Sequence, residues 1–186
     1  MSTDVTAPEF APTRARLQDA LSAFDGKAVS VLCEAKVQLC EAPSFWDALF
    51  DLITDDAPMV QAGATWLVRQ SLECGDLALD TAMAALAQRL DGLTHWAALL
   101  HGLQMIDAVD RPLPEGPALA RFAQAHISHT RPFVRAWAVN ALCMLAIHHP
   151  EFRAAADTAR THALNDTAAS VRARARKAPS PVPVTA

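Results

Sequence analysis

Residues 131–142 read RPFVRAWAVNAL, and the fold turns on how this stretch is read. Pro132 suits a first helical turn, where a missing N–H costs little, and Val134, Ala138 and Leu142 then recur every four residues along one side. A valine followed four positions later by a small residue is the stripe a helix needs where another helix crosses it closely. Three further segments can be laid over this one: KAVSVLCEAKV from Lys27, APMVQAGATWLV from Ala57 and AASVRARARKA from Ala168. They bring Val29, Val60 and Val171 onto Val134, and Cys33, Ala64 and Ala175 onto Ala138. The segment THWAALLHGLQ from Thr94 fills the gap, with His95 or Trp96 in the valine's place and Leu103 matching Leu142. The steps from Val60 onward are then about 35 to 39 residues, the length of one helical hairpin.

Outward from these segments, breakers punctuate the chain at Asp25-Gly26, Pro43, 55–58, Gly75-Asp76, Asp91-Gly92, 110–117, Arg131-Pro132, Pro150 and Asn165-Asp166. Between them the apolar spacing predicts ten helices: 13–24, 27–40, 44–54, 58–73, 79–90, 95–107, 117–128, 132–147, 151–164 and 168–177. Ser44 followed by Asp47 resembles a capping box, Pro58 and Pro150 also stand in first turns, and Gly75 and Gly92 fit helix ends. Composition agrees: of 186 residues 39 are alanine, 4 are isoleucine and none is tyrosine, so helix formers dominate and strand formers are scarce. The 52% hydrophobic content supports a sizeable core and excludes disorder of the whole chain. No apolar run is long enough for a membrane span, and residues 1–12 lack the pattern of a secretory signal, so a cytoplasmic protein without a membrane partner is expected.

The net charge of −4 conceals a separation. Residues 1–110 hold 6 Lys+Arg against 16 Asp+Glu, whereas residues 111–186 hold 10 against 4. All seven histidines also lie from His95 onward, so mild acidification strengthens the basic end. Such asymmetry can steer an anionic partner to one end of a molecule, or it can be no more than an uneven solvated surface.

The segments DDAPMVQAGA, HTRPFVRAWAVNAL and LNDTAASVRARA together resemble the HEAT repeat of α-solenoids, with armadillo repeats as close relatives. Val134-Arg135 and Val171-Arg172 match the Val-Arg opening of that repeat's second helix, Val60-Gln61 departs at the arginine, and the Thr94 segment departs at both positions. The likeness covers residues 44–178, with 13–42 as a degenerate N-terminal pair. It implies an all-α, right-handed α-α superhelix of about four to five hairpins over 13–178, while the Pro-rich or polar stretches 1–12 and 179–186 read as flexible tails. The resemblance further implies that helices 58–73, 95–107, 132–147 and 168–177 line a concave face. It also implies that repeat arginines pair with turn aspartates, here Asp56 and Asp166, in a ladder that stabilises stacking.

Arg135, Arg172 and Arg176 can alternatively form an anion-binding strip, because a guanidinium fork binds carboxylate or phosphate bidentately. Arg172 and Arg176 are four apart and share a face, with Arg174 pointing elsewhere. Trp66, Trp96 and Trp137 fall on three successive second helices, either as a row of indoles that binds by stacking and cation–π attraction or as fillers between helix layers. Trp46, beside Phe45 and Phe50, reads as core. His126 and His129, with His148 and His149, stand at helix ends, where histidine caps carbonyls; no third ligand or zinc motif accompanies them, so no metal is assigned. Cys33, Cys40, Cys74 and Cys143 show no CxxC pair and read as small hydrophobes in helical patterns. Gly-rich phosphate loops and nucleophile elbows are missing, so no catalytic residue and no cofactor is assigned.

These readings lead to a non-enzymatic interaction module that binds a protein partner, or a second copy of itself, through Arg135, Arg172, Arg176, Trp66, Trp96 and Trp137. The alternative is a nucleic-acid-binding protein similar to the HEAT-like-repeat alkylpurine DNA glycosylases, against which stand the acidic first half and a pI of about 5.9.

Overall fold

A computed structural model describes residues 7–180. Among the described residues there is no strand, and ten α-helices follow one another: α1 (Ala7–Ser22), α2 (Val29–Leu39), α3 (Phe45–Leu52), α4 (Pro58–Cys74), α5 (Leu79–Ala87), α6 (Trp96–Met105), α7 (Gly116–His126), α8 (Pro132–His148), α9 (Arg153–Leu164) and α10 (Ala169–Lys177). Short 3₁₀ turns stand at Leu90–Gly92, Ile106–Ala108 and Pro150–Phe152. All ten expected helices are present, in order.

Several boundaries have the expected chemistry. Pro58 and Pro132 open α4 and α8, where the proline ring presets a helical φ and no backbone bond is lost. Gly75 closes α4 at φ +80, with its N–H on the Leu72 carbonyl and the Asp76 N–H on that of Ser71, so a left-handed residue satisfies the last carbonyls. Other boundaries differ. Ser44 lies at φ +58 and makes no side-chain cap bond, because a capping serine needs extended backbone. Gly92 ends a 3₁₀ turn rather than a left-handed cap, and Pro150 opens a 3₁₀ turn ahead of α9. Helix α1 starts at Ala7 and runs through Pro12, within the stretch expected as an N-terminal tail; residues 1–6 and 181–186 of the two expected tails lie outside the described residues.

Two compact units divide the chain: one runs to Leu77 and includes Arg89–Ala98, and the other joins Ala78–Gln88 to the residues from Leu99 onward. Within the first, α4 packs against α1, α2 and α3 and buries Val60, Ala64, Leu67 and Val68. Gly63 lets α1 and α2 approach it, since a Cβ there would lie 3.0 Å from Leu32 and 3.3 Å from Leu21. Within the second, α8 is the central helix, packed by α7, α9 and α10 and buried at Val134, Ala138, Val139, Leu142 and Cys143.

The valine stripe is buried at Val60/Ala64, Val134/Ala138 and Val171/Ala175. Helix α6 keeps the pattern in another register. Ala98, three residues after the residue preceding that helix, is fully buried, as Val60, Val134 and Val171 are in theirs, while His95 and Trp96 are half-buried. Helix α2 breaks the pattern. It buries Leu32, Ala35 and Leu39 and leaves Val29 and Cys33 exposed, because its interior side is set by its packing on α1 and α4. Among the described residues no helix is long and apolar enough to cross a membrane.

Candidate functional site

The turns that precede α4, α8 and α10 share one construction. Two residues before each helix's N-cap, a side chain accepts the N-cap N–H: Asp55 Oδ1 from Ala57 at 2.9 Å, Asp166 Oδ1 from Ala168 at 2.8 Å, and His129 Nδ1 from Arg131 at 3.0 Å. His129 therefore replaces the aspartate of the other two turns. It must be neutral at Nδ1 to accept, and its pKa is held below the usual histidine value by burial first, then by neighbouring His126, Arg131 and Arg135.

One residue after the stripe valine, a long polar side chain reaches back to its own turn. Arg135 Nη1 donates to the carbonyls of His129 and Thr130 at 2.8 and 3.0 Å, and Arg172 Nη1 to those of Asp166 and Thr167 at 2.6 and 2.8 Å. Arg135 also reaches forward, with Nε and Nη2 each 3.0 Å from a carboxylate oxygen of Asp166. This bidentate pair, which is only 16% and 17% exposed, holds the Asp166 carboxyl below the ordinary range, aided by the Ala168 N–H. Gln61 occupies the same place in the first unit. Its Nε2 donates to the carbonyls of Asp55 at 3.2 Å and Gly92 at 3.0 Å, and its Oε1 accepts from the N–H groups of Thr94 and His95 at 3.0 and 2.7 Å. Leu93, two residues before His95, offers no carboxylate to this turn, so the glutamine oxygen supplies the acceptor.

The ladder thus holds at Asp166 but not at Asp56, which is exposed; Asp55 takes the role instead and receives Arg14 and Gln18 from α1, with Arg14 also on Asp51. Arg135 and Arg172 meet at Asp166 and engage their donors inside the protein. Arg176 is exposed on α10.

Trp66 and Trp96 are half-buried in the first unit, the latter with its ring 5.7 Å from that of His95. Trp46 is half-buried too, edge-on to buried Phe45 and stacked on Phe50. Trp137 differs because the Arg174 guanidinium lies 3.7 Å above its ring. Around this pair is a notch of about 230 Å³ between α8 and α10, lined by Phe133, Ala136, Trp137, Ala173, Arg174 and Lys177 along with Ser170. Phe133 is 60% exposed, the largest of the exposed hydrophobic side chains among the described residues. Phe133, Arg174 and Lys177 had not been singled out from the sequence. Phe133 and Trp137 are four apart on α8, Arg174 and Lys177 three apart on α10, and that spacing alone places each pair on one face.

A larger cleft, about 780 Å³, lies on another side of the second unit and is lined by His129, Thr130, Val139, Thr158, His162 and Asp166 among others. His126 beside it caps its own helix, with Nδ1 2.8 Å from the Phe122 carbonyl. Of the cysteines only Cys143 is buried, and burial pushes its thiol up to about 11; Cys33 and Cys74 are exposed, so the sequence reading of them as helix-packing hydrophobes does not hold. No family model matches the chain, and neither a curated protein nor a solved structure matches it.

Proposed function

We propose that the chain is a non-enzymatic interaction module of HEAT-like repeats that binds a protein partner through the face shared by α8 and α10. The repeated turns support the repeat assignment: acceptor, stripe valine and long polar side chain recur at fixed offsets before and within α4, α8 and α10, the recurrence expected of similar stacked units. One observation carries the binding reading. Phe133, Trp137, Arg174 and Lys177 combine exposed aromatic area with cations, a composition typical of the energetic centres of protein interfaces. The partner-binding residues are then Trp137 with Phe133, Arg174 and Lys177, while Arg176 lies on another side of α10 and Arg135 and Arg172 hold the turns.

The Arg174–Trp137 stack also favours a second reading, a nucleic-acid binder that stacks bases on the indole. Counterion release separates the two. A titration with single-stranded and duplex DNA at low salt that yields salt-sensitive binding, lost in Arg174→Glu, supports the second reading; absence of binding removes it. The first reading is tested by affinity capture from cells that make this protein, comparing the natural chain with Phe133→Ser/Arg174→Glu. The expected result is a protein retained by the former and lost with the latter. An identical set retained by both chains contradicts it.

A further inference from the structure

The occupant of the α8–α10 notch can be read from the rest of the chain. Among the described residues four large hydrophobic side chains are markedly exposed: Val29, Val37, Phe133 and Ile147. Two of them stand on α2. Val37 is 77% exposed, and the same outward side of α2 carries Ser30, Cys33 and Glu34, with Glu41 just past the helix end, all exposed. Glu34 lies three residues before Val37 on the helix, so the apolar knob has a carboxylate beside it on the same face, and Glu41 adds an exposed carboxylate in the turn just past the helix end. The notch presents the converse: an alanine floor at Ala136 and Ala173, aromatic walls at Phe133 and Trp137, and cations at Arg174 and Lys177 on its rim. Lys177 is exposed and Arg174 half-buried; Arg176, also exposed, lies two residues from Arg174 and so on another side of α10.

The charges of the two units agree with this match. The unit that carries α2 holds 6 Lys+Arg against 13 Asp+Glu, and the unit that carries the notch holds 10 against 7. Opposite potentials on unlike surfaces favour encounter in one orientation and oppose α2 meeting α2 or notch meeting notch.

We propose that the notch receives α2 of a second copy of this chain, with Val37 seated between Phe133 and Trp137 and with Glu34 and Glu41 facing Arg174 and Lys177. The proposal rests on the α8–α10 face being a binding face and names its partner. The contact joins unlike surfaces, so each copy keeps one free α2 and one free notch. Association therefore proceeds beyond dimers, into rings or open chains. One seated valine with a charged rim makes a small interface, and association is correspondingly weak and salt-sensitive.

Sedimentation of the full chain at low salt, from about 5 to about 500 μM as befits so small a contact, tests this with two variants. Val37→Asp spoils the knob and keeps the notch; Phe133→Ser/Lys177→Glu spoils the notch and keeps the knob. All three positions are exposed, so the core is undisturbed. The natural chain is expected to grow in mass with concentration. Each variant alone is expected to associate at least tenfold more weakly, and their equimolar mixture to form a 1:1 dimer that 0.5 M salt dissociates, roughly as a Debye length below 5 Å implies. A natural chain that stays monomeric throughout, a variant that associates like the natural chain, or a mixture no heavier than its components overturns the proposal. A monomeric natural chain refutes self-association alone, since capture dependent on Phe133 and Arg174 tests the binding face independently.

Discussion

At the scale of single residues, the second unit depends on how one arginine, one aspartate and one histidine share two turns. Arg135 engages four of its five N–H groups, two on the Asp166 carboxylate and two on the carbonyls of its own turn. Arg135→Ala is expected to cost about 2 kcal/mol in urea unfolding, and Arg135→Lys to recover only part of that, because an ammonium cannot span both turns. His129 gives the unit a pH dependence. Its folded pKa lies below the unfolded value, so its contribution is complete above the unfolded pKa and is lost as pH falls below it, when the unfolded chain takes up the proton first. Asp166, also depressed, adds a loss in the same direction at lower pH, within the carboxylate range. Urea midpoints should thus decline from pH 7 toward pH 5, and His129→Asp, which restores the acceptor used in the neighbouring turns, should flatten that decline. An undiminished decline in His129→Asp would remove His129 as its source.

Elements are the scale at which the sequence was most legible and also where it misled. Alanine richness, helical spacing and Pro58 and Pro132 place all ten helices, because each signal acts within a turn or two of chain. Register is another matter. Val29 and Val134 look alike in sequence, but one faces solvent and the other the core, because tertiary packing on α1 and α4 selects which side of α2 is buried. Gln61 reads as a failed arginine, and only the structure shows it replacing both the back-bond and the carboxylate missing at Leu93. Gln61→Leu is therefore expected to cost about 1 to 2 kcal/mol, the scale of a lost cap; a neutral midpoint would contradict that role. Close approach was equally hidden: a Cβ at Gly116, at the start of α7, would overlap the His149 imidazole. Gly116→Ala should lower stability by about 1 to 3 kcal/mol, the usual cost of overpacking, measurable as a depressed Tm.

For the whole molecule, charge was legible early and its chemical use was not. Counting along the chain separates an acidic part from a basic one, but it assigns Arg135, Arg172 and Arg174 the same weight. The structure divides them by what they touch: the first two hold turns, and Arg174 lies over Trp137 beside Phe133 and Lys177. Of the six residues the sequence favours for binding, the α8–α10 face includes Trp137, whereas Arg176 lies on another side of α10. The face was hard to see because Phe133 and Trp137 belong to the stretch that reads most clearly as fold, and their spacing is that of any packed helix. The most direct measurement is photo-crosslinking in cells that make this protein, with a photoreactive residue at position 133 and, as control, at exposed position 121 on α7. The account predicts a discrete protein adduct, with a second copy or another protein, from position 133 alone, abolished by Arg174→Glu. Equal adducts from both positions, or a position-133 adduct indifferent to Arg174, would contradict it.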